Sequence, residues 1–322
     1  DFQTETRAVL GEYNKNSASP VNQMWESLAE LSFTRHTYGH TTMGYLADIQ
    51  AMPTYYTYSQ QFFRRFYTPD NCTVIVAGDV QHDAVLPLIQ QHYGEWTGRR
   101  DTPVIPVEPD PTSPRRRALA WTGSSPPRVL MGYRIPGFSL DTTDSVALEV
   151  VHALAFSESS ELYQRLVVRD SKLLRIESWK GDLHRDPGLF VVEASLRQGT
   201  TFAEVEVAVG EEFSRIASGS YPAERIRDVV SNLRYSLAMD AQTPAAAAQL
   251  VARFMELTGD PTTYDRYYRR LGDVTPDDVA RVARTFLTAA RGSVVTLSPA
   301  AEAPQGAVRV GPGRPAGARR AP

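Results

Sequence analysis

The chain has 322 residues, of which 42% are hydrophobic and 22% charged, with a formal net charge of −3. This is enough for two globular domains with cores of their own, and it excludes a disordered or fibrous protein. The 34 Lys and Arg residues are scattered along the chain, so neither nucleic acid nor an anionic membrane is the expected partner, and no apolar run nears the ~20 residues of a membrane helix.

The first segment, DFQTETRAVLGEYNKN, reads as a helix over about 2–16, with Phe2, Val9 and Tyr13 as its apolar stripe. Glu5 and Glu12 are seven residues apart on that helix. Seven residues bring a helix back to within about 20° of the starting direction, so the two carboxylates point the same way, on the flank of the stripe and half-buried. Further helices are expected over 20–32 and 54–67, where Tyr55, Phe62 and Phe66 have the spacing of a packed core face. CTVIVAG at 72–78 reads as a strand with Cys72 as a small core residue, and 82–93 as a helix.

EPDPTSPRR, near 108–116, holds three prolines in nine positions and marks a linker, flanked by arginine runs at 99–100 and 115–117 that read as solvated loop. Beyond it come a strand at 128–135, helices at 144–156 and over SELYQRLV, and a hairpin of LLRIESWKG and LFVVEASL turning at HRDPG. Four or five helices follow between 201 and 287, then a closing strand at 293–298. From Pro299 the chain is rich in Pro, Gly, Ala and Arg and reads as a disordered tail.

The two halves close alike, helix then turn then strand, at an offset of about 221 residues. The expected fold is therefore α+β: two homologous α/β-sandwich domains, each a mostly antiparallel sheet backed by helices. Residues 1–107 would hold the end of the first domain, 108–117 the linker, 118–298 the second domain and 299–322 the tail. The same offset implies that about 100 residues of the first domain precede Asp1, in keeping with the missing initiator Met and with helical periodicity already under way at Phe2. It also sets Ile226 and Leu233 opposite Glu5 and Glu12, so the second copy carries apolar residues where the first carries acids.

An ordered set of short motifs resembles the pitrilysin/insulinase family of zinc peptidases, the inverzincins. They are ETRAVLGEYNK, FTRHTYGHTTMGYLADIQAM with His36-Thr37-Tyr38-Gly39, and YYTYSQQFFRRFYTPDNCTVIVAGDV with its Tyr67-Thr68-Pro69-Asp70-Asn71 turn. The later YRIPGF at 133–138 and SSELYQRL at 159–166 resemble the family's companion domain. The resemblance implies a metalloendopeptidase subunit with one Zn2+, whose third ligand would be Glu12, with Glu5 supporting the site from behind. It also implies a peptide or unfolded polypeptide substrate, a second homologous subunit making a homo- or heterodimer, and a location in the bacterial periplasm or envelope.

The family's two histidine ligands lie in an H-x-x-E-H motif whose glutamate serves as general base, and that motif occurs nowhere here. His36, His40, His82, His92, His152 and His184 all lack its context, and His36 and His40 are expected on a loop. Family spacing puts the motif about 75 residues before Glu12, upstream of Asp1, so the chain as it stands is not expected to hold catalytic zinc. Arg185 could be a substrate-binding arginine of a companion domain, but the tyrosine that would go with it is missing. Two classes of function remain: a peptidase subunit whose metal motif lies upstream, or a non-catalytic homologue acting as scaffold or substrate-binding partner. Retention of both glutamates favours the first.

Overall fold

A computed structural model describes residues 2–179 and 183–312. The first part is helical: α1 (Phe2–Ser17), α2 (Pro20–Ser32), α3 (Leu46–Ala51), α4 (Tyr56–Phe66) and α5 (His82–Tyr93). Then come β1 (Arg115–Trp121), β2 (Arg128–Arg134), α6 (Asp144–Phe156), the short α7 (Glu161–Tyr163), β3 (Leu173–Trp179) and β4 (Leu189–Leu196). Five helices follow: α8 (Phe202–Ala217), α9 (Ala223–Met239), α10 (Pro244–Thr258), α11 (Thr263–Gly272) and α12 (Pro276–Phe286), before β5 (Gly292–Pro299) and β6 (Val308–Val310). The fold is α+β. A shift of 221 residues lays α1 over α9, and α4 over α12, to within about one residue.

The six strands form one sheet in the order β3-β4-β2-β5-β1-β6, antiparallel except where β1 runs parallel to β5 and β6. Side chains alternate across its two faces. Val129, Met131, Phe190, Val192 and Ala194 face a core built with α6, α8 and α12. Leu130, Leu189, Val191, Val295 and Leu297 face a second core closed by Met24 and Leu28 of α2. A helix from before the linker thus covers the sheet formed after it.

Several expectations are corrected. Residues 72–78 are extended but form no strand, and Val74 and Val76 are each 48% exposed. A β-branched run becomes a strand only when another strand takes up its backbone groups, and among the described residues no strand pairs with this run. Cys72 is accordingly exposed, not a core residue. Tyr55, just before α4, and Phe62 on it are 40% and 43% exposed, so they do not form the packed core face expected of them. The arginine run at 115–117 is the start of β1, not solvated loop. Arg116 is paired with Glu206 on one face of the sheet and Arg117 with Glu30 on the other. The expected tail contains β6, whose Val310 is buried against β1; residues 313–322 lie outside the described residues.

Candidate functional site

One side of α1 is fixed at several points. Phe2 meets Tyr56 edge to face at 5.2 Å, and Gln3 Nε2 donates to the Pro53 carbonyl at 2.8 Å. Tyr13 is buried and its hydroxyl donates to Glu26 Oε2 of α2 at 3.3 Å. At the other end, Asn22 and Gln23 donate to the Asn16 and Ser17 carbonyls, closing the orphan acceptors of the last turn. The buried stripe is Thr6, Tyr13 and Ser17. Glu5 and Glu12 each precede a stripe residue by one position, about 100° round the helix, and both are exposed. The half-buried flank expected for them is therefore corrected: α2 covers a narrower strip of α1 than its own periodicity suggests. The glutamates share one free side, roughly 10 Å apart along the axis.

A zinc ion takes four donors in tetrahedral array, three of them from protein in a catalytic site. Among the described residues no group of three His, Cys, Asp or Glu side chains could hold a metal. The donors among the described residues do not by themselves fit a zinc site, although Glu12 has the chemistry and exposure to supply one ligand.

Beneath α1, a small cleft is lined by Tyr13, Glu26, Glu30, His40 and Tyr45. Burial raises the Glu26 carboxyl above the usual carboxylate range, against the lowering effect of the Tyr13 hydroxyl. Burial, and then the Glu26 charge, push the Tyr13 phenol upward, so it stays a protonated donor at any physiological pH.

The segment after α2 links it to the sheet. Arg115 donates to the Leu31 and Ser32 carbonyls, and Arg134 donates to Ser32 at 2.6 Å while lying 4.1 Å over the Phe33 ring. Two cations thus meet the carbonyl end of α2, where the helix dipole favours them. The chain then turns so that the N–H groups of Thr34, Arg35 and His36 and the Thr34 hydroxyl all donate to the Glu108 carboxylate at 2.7–2.9 Å. Burial raises the Glu108 pKa, but these donors outweigh it and hold the group below its ordinary value. The His36 ring is buried, 4.0 Å from the Tyr38 ring centroid, with Nε2 3.5 Å from the Asp186 carboxylate. Tyr38 also packs on His184, so the HTYG segment seats on the HRDP turn of the β3–β4 hairpin. Arg185 on that turn is exposed and pairs with Asp186. His36 Nδ1 accepts from the Tyr38 N–H, and His40 Nδ1 contacts the Thr41 carbonyl.

Glu108, Glu26 and the His36–Asp186 contact were not found by sequence reasoning. Their partners are backbone amides or residues distant in sequence, and Glu108 sits in a Pro-rich stretch whose composition signals only a linker.

Residues 57–233 match the family model described as the peptidase M16 inactive domain. The chain belongs to the peptidase M16 inactive-domain family. An uncharacterized zinc protease of Mycobacterium leprae is 25% identical over 299 residues, covering 92% of this chain and 66% of that protein. The zinc protease PqqE of Helicobacter pylori is 23% identical over 306 residues, covering 93% and 67%. The chain spans about two-thirds of the length of these M16-type relatives. Among solved structures, a protease from Helicobacter pylori superposes with a TM-score of 0.84 at 22% identity, over 92% of this chain and 71% of that one. The first half of the periplasmic protease PqqL from Escherichia coli gives 0.70 at 16%, over 92% and 65%. These superpositions carry the M16 fold alone. The resemblance to pitrilysin-type zinc peptidases is thereby borne out. Glu5 and Glu12 precede the matched stretch, so membership of the M16 family does not bear on their role.

Proposed function

We propose that the chain is part of a zinc-dependent endopeptidase subunit, to whose metal Glu12 contributes one carboxylate and behind which Glu5 stands. The observation that carries this reading is the register of Glu5 and Glu12 on the free side of a helix tied down along its other side and at both ends. A ligand on such a helix keeps its position without the metal's help, which is what an effective site requires. The remaining donors would come from residues other than these 322. The zinc-protease names of the relatives support the same chemistry, with peptides as substrate; a second homologous subunit is the partner this reading proposes. PqqL, periplasmic by its description, supports an envelope location.

The matching family model is described as inactive, and this favours a second reading, a non-catalytic homologue that binds substrate for an active subunit. Metal content of the purified full-length protein separates the two. The peptidase reading expects about one zinc per chain, lost in Glu12→Gln, and a roughly 10- to 100-fold weaker affinity in Glu5→Gln. A full-length protein without H-x-x-E-H and without zinc would establish the second reading, and zinc retained by Glu12→Gln would show that the ligand is another residue.

A further inference from the structure

Far from α1 in sequence, α9 and α11 enclose an open groove of about 450 Å³. Arg227, Ser231 and Arg234 line it from α9 at helical spacing, with Tyr235 beside them and Tyr268 and Gly272 across from them on α11. The Arg234 guanidinium lies 4.5 Å over the Tyr268 ring, and a Cβ on Gly272 would come within 3.2 Å of its Nη1. Its Nε is buried without an acceptor. Neither Arg234 nor Arg227 has an ion pair or hydrogen bond among the described residues, whereas Arg116, Arg117, Arg128, Arg215 and Arg281 are all paired with carboxylates. Tyr235, 65% exposed, adds an uncovered ring to the groove.

A guanidinium held over a ring has already lost part of the rotamer freedom that binding would cost, and its fork matches a carboxylate. Arg227 and Arg234 are two turns apart, roughly 10 Å along the helix axis. A peptide in the extended polyproline II conformation rises about 3.1 Å per residue with three residues per turn, so acids three residues apart lie on one side of it at nearly the same separation. Ser231 lies midway, where its hydroxyl can meet the peptide backbone, and the exposed face of Tyr235 can take an apolar side chain between the acids.

We propose that the α9–α11 groove is a docking site for an extended acidic peptide segment with carboxylates three residues apart, one on Arg227 and one on Arg234. The proposal stands independently of the zinc reading.

The test is isothermal titration of the 322-residue chain with acetyl-Glu-Ala-Phe-Glu-amide. The expected result is saturable binding, with at least tenfold weaker binding of acetyl-Gln-Ala-Phe-Gln-amide, the size of one lost charge-assisted hydrogen bond. Arg227→Gln, at an exposed position, is expected to weaken the acidic peptide about tenfold. Arg234→Lys keeps the charge but loses the planar fork, and a similar loss is expected. Equal binding of the two peptides, unchanged affinity in Arg227→Gln, or displacement of the peptide by an equal concentration of inorganic phosphate would each overturn the proposal.

Discussion

At the scale of single residues, Glu108 accepts four hydrogen bonds, three of them from consecutive backbone amides. Removing it takes the acceptor from all three N–H groups, of which that of His36 belongs to a buried residue, and an unmet buried donor costs about 1–3 kcal/mol. Glu108→Ala is therefore expected to lower stability by about 2–3 kcal/mol in urea denaturation at neutral pH. The pH dependence follows from the direction of the shift. The folded-state pKa is depressed, so the stabilisation is fully present above the unfolded-state value and is lost as pH falls through the folded one. Wild type and variant should thus converge in acid, and a gap unchanged down to pH values well below the ordinary Glu range would show that the carboxylate charge is not what the amides hold. Nothing in EPDPTSPRR marks Glu108, because its partners are amides whose direction is set by the turn after α2. Glu5 and Glu12 were legible as a same-side pair, since helical pitch alone sets that. Their exposure was not, because it depends on how much of α1 the neighbouring α2 covers.

At the scale of elements, the helices were the most legible part, and the structure shows why in the way they begin. α8 and α12 both open with a capping box, Thr201 with Glu204 and Thr275 with Asp278. In α12 the Asp278 carboxylate also accepts from Thr143 Oγ1 at 2.5 Å and pairs with Arg281, tying the start of α12 to that of α6. Burial raises the Asp278 pKa, yet the hydrogen bonds from Thr143, Thr275 and Arg281 bring it down to about 2. Asp278→Asn should destabilise by about 1–2 kcal/mol at neutral pH, measured by thermal or urea unfolding. Because the folded value lies below the unfolded one, this difference should hold down to the ordinary Asp range and then shrink as pH approaches about 2. A difference that grew in acid would contradict the assignment. Strands were less legible. β1 begins with three arginines, a composition that suggests loop until Glu206 and Glu30 are seen waiting on opposite faces of the sheet. β6 is three residues long and takes its order from the edge of β1. The run at 72–78 has the composition of a strand without a strand beside it among the described residues.

At the scale of the molecule, apolar surface is distributed unevenly. Behind the sheet the cores are dry: Phe190, Leu130 and Leu154 are each at most 1% exposed. Around α4, the extended segment 72–80 and α5, large apolar side chains stand in solvent instead: Tyr58 at 54%, Phe63 at 58%, Val76 at 48% and Leu88 at 54%. Arg64 and Arg65 interrupt this surface, but Arg65 is engaged with Asp101, leaving little charge to keep another hydrophobic surface away. Monomeric proteins rarely expose contiguous apolar patches beyond a few hundred Å², and larger ones are covered by a partner or drive association. These 322 residues, produced alone, are therefore expected to self-associate, with light scattering giving a mass that falls on dilution. Phe63→Lys, Val76→Lys and Leu88→Lys together should return the protein to monomer. The same triple variant should leave the thermal unfolding of the second half unchanged, because none of the three belongs to either core around the sheet. Two results would count against this account: a wild-type chain that stays monomeric at all concentrations, or a triple variant whose unfolding midpoint drops. The first would mean that the intervening charges already break the patch into pieces too small to bind. The second would mean that α4 and α5 carry packing energy that their exposure conceals, and that the two halves unfold as one cooperative unit across the α2–sheet contact.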